Sequence, residues 1–203
     1  MKNRKRAPRL PADERRALAV QAVLALAARQ NPSDITTTAI ARRMRMTQGA
    51  LFRHFPTKDA IWQAVVEWVA ARILARLDEV ERTESPLEAL KQVFTAHIET
   101  HARHAGVPRI VFGELQRAGD TRTKRMVRTF MGRYVGRLQA LIEEGRIRGE
   151  IDPGIDAKAG ATLFVGMIQG LVVQSLVTGK AGSMRTKAPE ILAIYLRGIR
   201  RTP

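Results

Sequence analysis

Four histidines and no cysteine limit the chemistry open to this chain. His97, His101 and His104 project from one side of a single helical stretch, and His97 and His101 have the i, i+4 spacing used by metal pairs. No carboxylate is placed to complete a metal set. Without cysteine there is no thiolate ligand, thiol nucleophile or disulfide. No Ser/His/Asp arrangement, paired carboxylate or Gly-rich phosphate loop stands out, so no enzyme activity, cofactor or metal is expected. For the histidines two readings stay open, the polar lining of a buried pocket or ordinary packing at a helix end.

A second set of residues, Gln48, Gly49, Ala50, Arg53 and His54, offers hydrogen-bond donors, a gap and little bulk along one short helix. Such a ridge fits a DNA major groove, where Gln can pair with adenine and Ala can touch a thymine methyl. Two short helices, about Thr37–Met44 and Thr47–His54, must position it. Helices of two turns are marginal alone, so they persist only if packed at a steep angle. Ala41 supplies the small residue at their approach, and Ile40, Met44, Met46 and Leu51 supply the apolar contacts. Thr36 and Thr37 are suited to cap the first. Thr37 and Lys58 sit at helix starts, where backbone N–H groups meet phosphates.

The charge agrees with such a partner. The net charge is +16 and the pI about 11.4, a field that attracts polyanions. The first 60 residues carry 13 Lys and Arg against 4 Asp and Glu. Nucleic acid is the expected partner, with sequence-nonspecific coating of DNA the alternative to reading an operator. The basic start, MKNRKRAPRL, leads into an amphipathic helix and lacks the apolar core and cleavage site of a signal peptide. A cytoplasmic location is expected. Ala161–Val177 is the one long apolar run. It falls short of the roughly 20 residues a bilayer needs and contains Gln169, Gln174 and Ser175, so burial against protein is expected and a membrane is not.

The periodicity predicts an all-α fold of about nine helices, with a basic N-terminal three-helix module on a larger helical body. The helices are placed at about 13–30, 37–44, 47–54, 58–82, 87–104, 108–117, 121–146, 156–178 and 187–200. Asn31-Pro32-Ser33-Asp34 ends the first, with Asn31 suited to a left-handed cap. The expected division is a flexible basic arm over 1–11, a DNA-binding domain over 12–72 and a helical body over 73–203.

The run Thr36-Thr37, Ile40-Ala41, Thr47 with Gly49, and Leu51-Phe52-Arg53-His54-Phe55 followed by Lys58 resembles the TetR/AcrR family of regulators over about residues 13–72. The resemblance implies a ligand-responsive regulator, a repressor, that reads a palindromic operator in double-stranded DNA as a homodimer and leaves it when a small hydrophobic effector binds. Carried over by position, Thr37, Gln48, Phe52, Arg53, His54 and Lys58 lie at the DNA backbone, and Gln48, Gly49 and Ala50, with Arg53, face base edges. Arg45 and Thr47 complete the expected DNA-binding set. Arg45 stands where the family has a turn glycine, so a left-handed backbone there costs about 1 kcal/mol, which an added phosphate contact could offset. Phe52 replaces the usual tyrosine, and Ala27 and Asn31 replace Phe and Gly at the end of the first helix.

The resemblance also implies that the helix bearing the histidines walls an effector cavity. The expected lining is Phe94, His97, His101, Phe112, Met126, Phe130, Tyr134 and Met167, residues that would suit a core equally. The last two long helices are implied to form a two-fold interface. Phe164, Ile168, Leu171, Val172 and Ser175 with Ile191, Ile194 and Tyr195 are expected there, a buried monomer core being the alternative.

Overall fold

The computed structural model describes residues 11–80 and 85–202; the expected basic arm, apart from Pro11, lies outside them. Among the described residues there are nine α-helices and no strand. They are α1 (Ala12–Ala27), α2 (Thr37–Arg43), α3 (Gln48–Phe52), α4 (Lys58–Val80), α5 (Pro86–Arg103), α6 (Gly106–Gln116), α7 (Arg122–Ile147), α8 (Ala157–Thr178) and α9 (Ser183–Ile199).

Side-chain caps set most of the starts. Ser85, Thr121 and Asp156 accept from the backbone N–H groups of Glu88, Lys124 and Ala159, satisfying donors that a helix start leaves unpaired. Two boundaries differ from expectation. α1 stops at Ala27, and Asn31 is not left-handed: with φ −64° its side chain accepts from Ser33 N–H and caps a single 3-10 turn, Pro32–Asp34. The shorter α1 lets that turn fill the gap before α2. α9 begins at Ser183, four residues upstream of Lys187, which leaves Pro189 inside the helix. Met184, Ala188, Leu192, Tyr195 and Ile199 form one buried stripe, and burying Met184 draws the helix upstream despite the backbone bond that Pro189 cannot make.

α1, α2, α3 and the start of α4 enclose a small core of Val23, Ile35, Ile40, Leu51, Phe55 and Ile61, all essentially inaccessible. α4 runs unbroken through residue 72, the expected boundary, into the body, where it packs on α5 and α7. α8 packs on α5, α7 and α9. By length and composition α8 could cross a bilayer; one face of it, with Phe164, Ile168, Leu171 and Val172, is buried against protein, and the other is exposed. The head also meets the body at Gly106, the first residue of α6. A Cβ there would lie 2.2 Å from the Leu24 carbonyl oxygen of α1, so only glycine allows α6 to dock that closely.

Candidate functional site

The turn between α2 and α3 is a Schellman motif. Arg45 N–H donates to the Arg42 carbonyl at 3.0 Å and Met46 N–H to the Ala41 carbonyl at 3.0 Å, with Arg45 left-handed at φ +55°. This is the geometry that favours glycine. The same motif ends α7: Gly149 is left-handed at φ +75°, with Gly149 N–H bonded to the Arg146 carbonyl and Glu150 N–H to that of Gly145. Thr36 Oγ1 accepts from Ala39 N–H and Thr47 Oγ1 from Ala50 N–H, so each short helix has its own cap. Ala41 is buried at the crossing, with Ile40 and Leu51, while Met44 and Met46 pack half-buried beside them.

α3 offers its outer side to solvent. Thr47, Gln48, Gly49 and Arg53 are exposed, as are Arg45 and Phe52; Thr37, Ala50, His54 and Lys58 are half-buried. Five of these side chains, Thr37, Thr47, Gln48, His54 and Lys58, already have partners. Gln48 Nε2 donates to Thr37 Oγ1 at 2.7 Å, and Thr38 Oγ1 donates to Gln48 Oε1 at 3.3 Å, which holds the Gln48 amide across the start of α2. Arg15 Nη1 donates to His54 Nε2 at 3.1 Å; an arginine can only donate, so the His54 proton sits on Nδ1. Lys58 Nζ donates to the Ser33 carbonyl at 3.1 Å and lies over the Trp62 ring. Arg15 and Thr38 escaped the sequence reading because both partnerships are long-range, with no local spacing to show them.

The histidines lie at a cavity. Its volume is about 140 Å³, enclosed by α4, α5, α6, α7 and α8, and His97, His101, Phe112 and Phe130 are in its wall. His97 Nδ1 is 2.9 Å from the Tyr134 hydroxyl, and His97 Nε2 is 3.0 Å from His101 Nε2. Burial holds the pKa of His97 well below the ordinary value, with His101 adding to the effect. Burial, reinforced by His104, lowers that of His101 to about 4. Both are therefore neutral at pH 7. His104 packs edge-on against Trp68 and stands apart from the pair. Among the described residues no three His, Asp or Glu side chains gather where they could hold a metal.

Four residues expected in the lining are elsewhere. Tyr134 sits behind His97 and reaches the cavity only through it. Phe94 lies edge-on to Phe164 and faces a separate hollow between α5 and α9. Met126 and Met167 are each one residue out of phase with the lining stripes, which run through Val127, Phe130 and Met131 on α7 and Val165, Ile168 and Val172 on α8. A step of one residue turns a helical side chain by about 100°. The missed walls are Val66, Val69 and Ile73 of α4, and Val107 and Val111 of α6. Their stripes were visible in the sequence, but nothing local tied them to the histidines.

Residues 20–65, the helix-turn-helix and its flanks, match the profile of the bacterial regulatory proteins of the tetR family. Residues 83–173 match that of the tetracyclin repressor-like C-terminal domain. The chain belongs to the TetR family. It is a DNA-binding regulator of transcription. Its relatives include the nucleoid occlusion factor SlmA of Marinobacter nauticus, 25% identical over 162 residues (78% of this chain and 82% of that protein). SlmA of Vibrio atlanticus is 23% identical over 142 residues, 70% and 72% of the two chains. Similar folds include the regulator FadR from Bacillus subtilis in complex with stearoyl-CoA, with a TM-score of 0.77 and 17% identity over 91% of this chain and 99% of that one. The ketosteroid regulator KstR2 of Mycobacterium tuberculosis has a TM-score of 0.74 and 21% identity over 93% and 96%.

In this TetR-family chain six of the eight residues expected on the outer face of α8 and α9 lie inward, while Ile194 faces outward and Ile191 is half-buried. Phe164, Ile168, Leu171, Val172, Ser175 and Tyr195 are buried within the protomer; Ile168 and Val172 line the cavity, and Tyr195 donates to the Gly160 carbonyl at 3.0 Å. The residues turned outward are Leu163, Gly166, Gly170, Val173 and Val177 on α8, with Ile194 on α9. Because apolar residues lie on every side of α8, the few polar ones, with Thr162, Gln169 and Gln174 exposed, were a weak guide to its rotation, and most of the face assigned to the partner packs within the protomer.

One further contact, Arg117 to Asp59, joins head and body. Arg117 Nη1 lies 3.0 Å from both Asp59, at the start of α4, and Glu114 of α6. Glu114 is 3% exposed and also accepts from Thr121 Oγ1.

Proposed function

We propose that this chain is a ligand-responsive repressor that binds a palindromic operator as a homodimer and releases it when a small apolar molecule enters the histidine-lined cavity. One observation carries the reading: α4 is a single helix whose first turn flanks α3 and whose middle, Val66 to Ile73, walls the cavity. A ligand that spreads α4 from α8 must tilt the helix start that carries Lys58 and Asp59. α6, which also walls the cavity, touches the head at Gly106 and through Arg117. Packed elements move between discrete arrangements, so a shift at the cavity changes the spacing of the two α3 helices in a dimer.

At the DNA, Gln48, Gly49, Ala50 and Arg53 take the base edges, and Thr37, Arg45, Thr47, Phe52, His54 and Lys58 the backbone. The SlmA relatives are named as nucleoid occlusion factors, whereas the cavity here favours response to a ligand. The second copy docks on the outward stripe Leu163, Gly166, Gly170, Val173, Val177 and Ile194, where the two glycines permit close helix approach.

The test is a mobility-shift titration on DNA from upstream of the chain's own gene, at about 150 mM salt with random competitor. A preference of roughly a thousandfold for a palindromic site, lost on Gln48→Ala with Arg53→Ala, is expected. Binding indifferent to sequence would leave a nonspecific DNA-coating protein.

A further inference from the structure

The histidine relay has one open end. His101 Nδ1 is sealed from solvent and has no hydrogen-bond partner, while its ring lines the cavity. An orphaned buried polar atom is costly and rare, and which kind of atom it is follows from the rest of the relay.

The Tyr134 hydroxyl is completely buried, and its hydrogen bond is to His97 Nδ1. If His97 Nδ1 carried the proton and donated to the tyrosine oxygen, the tyrosine O–H would itself be left without an acceptor. The arrangement that strands fewest groups has Tyr134 O–H donating to His97 Nδ1. His97 then carries its proton on Nε2 and donates to His101 Nε2. His101, neutral like His97, must then hold its own proton on Nδ1. The open end is a covered N–H donor on a ring that lines a cavity whose wall has no Lys, Arg, Asp or Glu, and whose only polar side chain besides the two histidines is the exposed Gln169.

From this geometry we infer that the cavity takes an uncharged, ring-sized apolar molecule bearing a hydrogen-bond acceptor such as a carbonyl oxygen, held by His101 Nδ1–H once its entry parts the side chains that cover that nitrogen. The inference rests on the effector-cavity reading above. The space of about 140 Å³ is close to the roughly 150 Å³ of an apolar cavity that holds benzene. A carboxylate would enter without a counter-ion and pay its desolvation uncompensated.

Two measurements test this on the full-length chain. The first needs no substitution: long-range proton–nitrogen NMR of the imidazoles reads which ring nitrogen bears the proton. Protonated Nδ1 on His101 and protonated Nε2 on His97 are expected, and a proton on Nε2 of His101 would overturn the inference. The second is calorimetry with four probes of similar size: acetophenone as acceptor, ethylbenzene with no polar group, indole as donor and benzoate as anion. His101→Phe should weaken acetophenone about tenfold and leave ethylbenzene within about twofold, with indole and benzoate binding more weakly than acetophenone. Equal losses for acetophenone and ethylbenzene, or tighter binding of indole or benzoate, would overturn it while leaving the cavity a ligand site. If no probe binds, both the cavity reading and the inference built on it fall.

Discussion

Arg45 tests whether the sharp turn ahead of α3 holds strain in exchange for charge. Its backbone is left-handed at φ +55°, and no other non-glycine among the described residues has positive φ. An L-residue with a Cβ in that region costs about 1–2 kcal/mol. Replacing it with glycine removes the cost but returns about 0.5–1 kcal/mol through the greater freedom of the unfolded chain. Arg45→Gly should therefore stabilise the chain by about 0.5–1 kcal/mol, which for this size raises Tm by about 1–4 °C. Gly149 provides the internal control, because it occupies the same Schellman position with φ +75°; Gly149→Ala should destabilise by about 1 kcal/mol. Urea denaturation followed by circular dichroism reads both. If Arg45 is retained for a phosphate contact, the stabilised variant should bind operator more weakly, and the slope of log affinity against log salt should fall by about 0.9. Arg45→Lys should keep that slope and gain no stability. An Arg45→Gly variant no more stable than the parent would refute the strain argument. A stabilised variant with unchanged salt slope would refute the phosphate contact.

Gly106→Ala places a methyl 2.2 Å from the Leu24 carbonyl oxygen and should cost about 1–3 kcal/mol as overpacking between α1 and α6; unchanged denaturation would mean the head does not dock there. Stability should also fall in acid. His101 has a folded pKa near 4 against an ordinary 6.5, so the folded state resists the proton that the unfolded state accepts. The resulting stability is intact above about pH 6.5 and declines toward pH 4 by an amount on the order of 3 kcal/mol. His97 is shifted in the same direction, and His101→Phe should flatten the pH profile of urea midpoints. Leu163→Glu with Ile194→Glu should give a folded monomer by sedimentation, since both side chains face outward, at 58% and 62% exposure; a persistent dimer would place the interface on another face.

Two kinds of signal decided what the sequence could show. The helix-turn-helix was legible because its determinants are local: caps at Thr36 and Thr47, the small Ala41 at the crossing, and a turn whose φ could be anticipated from Arg45 in a glycine position. The body was legible only as a set of helices. Phe130 and Tyr134 lie on the same stripe of α7, yet one lines the cavity and the other stands behind His97, a difference of depth that periodicity does not encode. α8 was misplaced for the opposite reason: a helix with apolar residues on every side and only a few polar ones, such as Thr162, Gln169 and Gln174, fixes its rotation weakly, so Phe164 and Leu163, neighbours in sequence, could each be assigned inward or outward.

The same physics explains why α4 went unread as a coupling element. Its stripe through Ile61, Val65, Val69 and Ile73 looks like continuous core, and a boundary at residue 72 is natural for a module that ends where the family motif ends. The helix instead carries one rigid axis from Lys58, bonded to Ser33 beside α2, to the wall that faces His101. An unbroken helix cannot move at one end alone. A ligand that displaces Val69 or Ile73 must either bend α4 against its own backbone hydrogen bonds or carry the head with it, and the head is held to the body by the packing of α1 on α6 at Gly106 and by the exposed Arg117–Asp59 ion pair, the latter worth at most about 1 kcal/mol. On the proposed reading, the position of the cavity along α4 makes this helix the element expected to carry a displacement at Val69 or Ile73 toward the head.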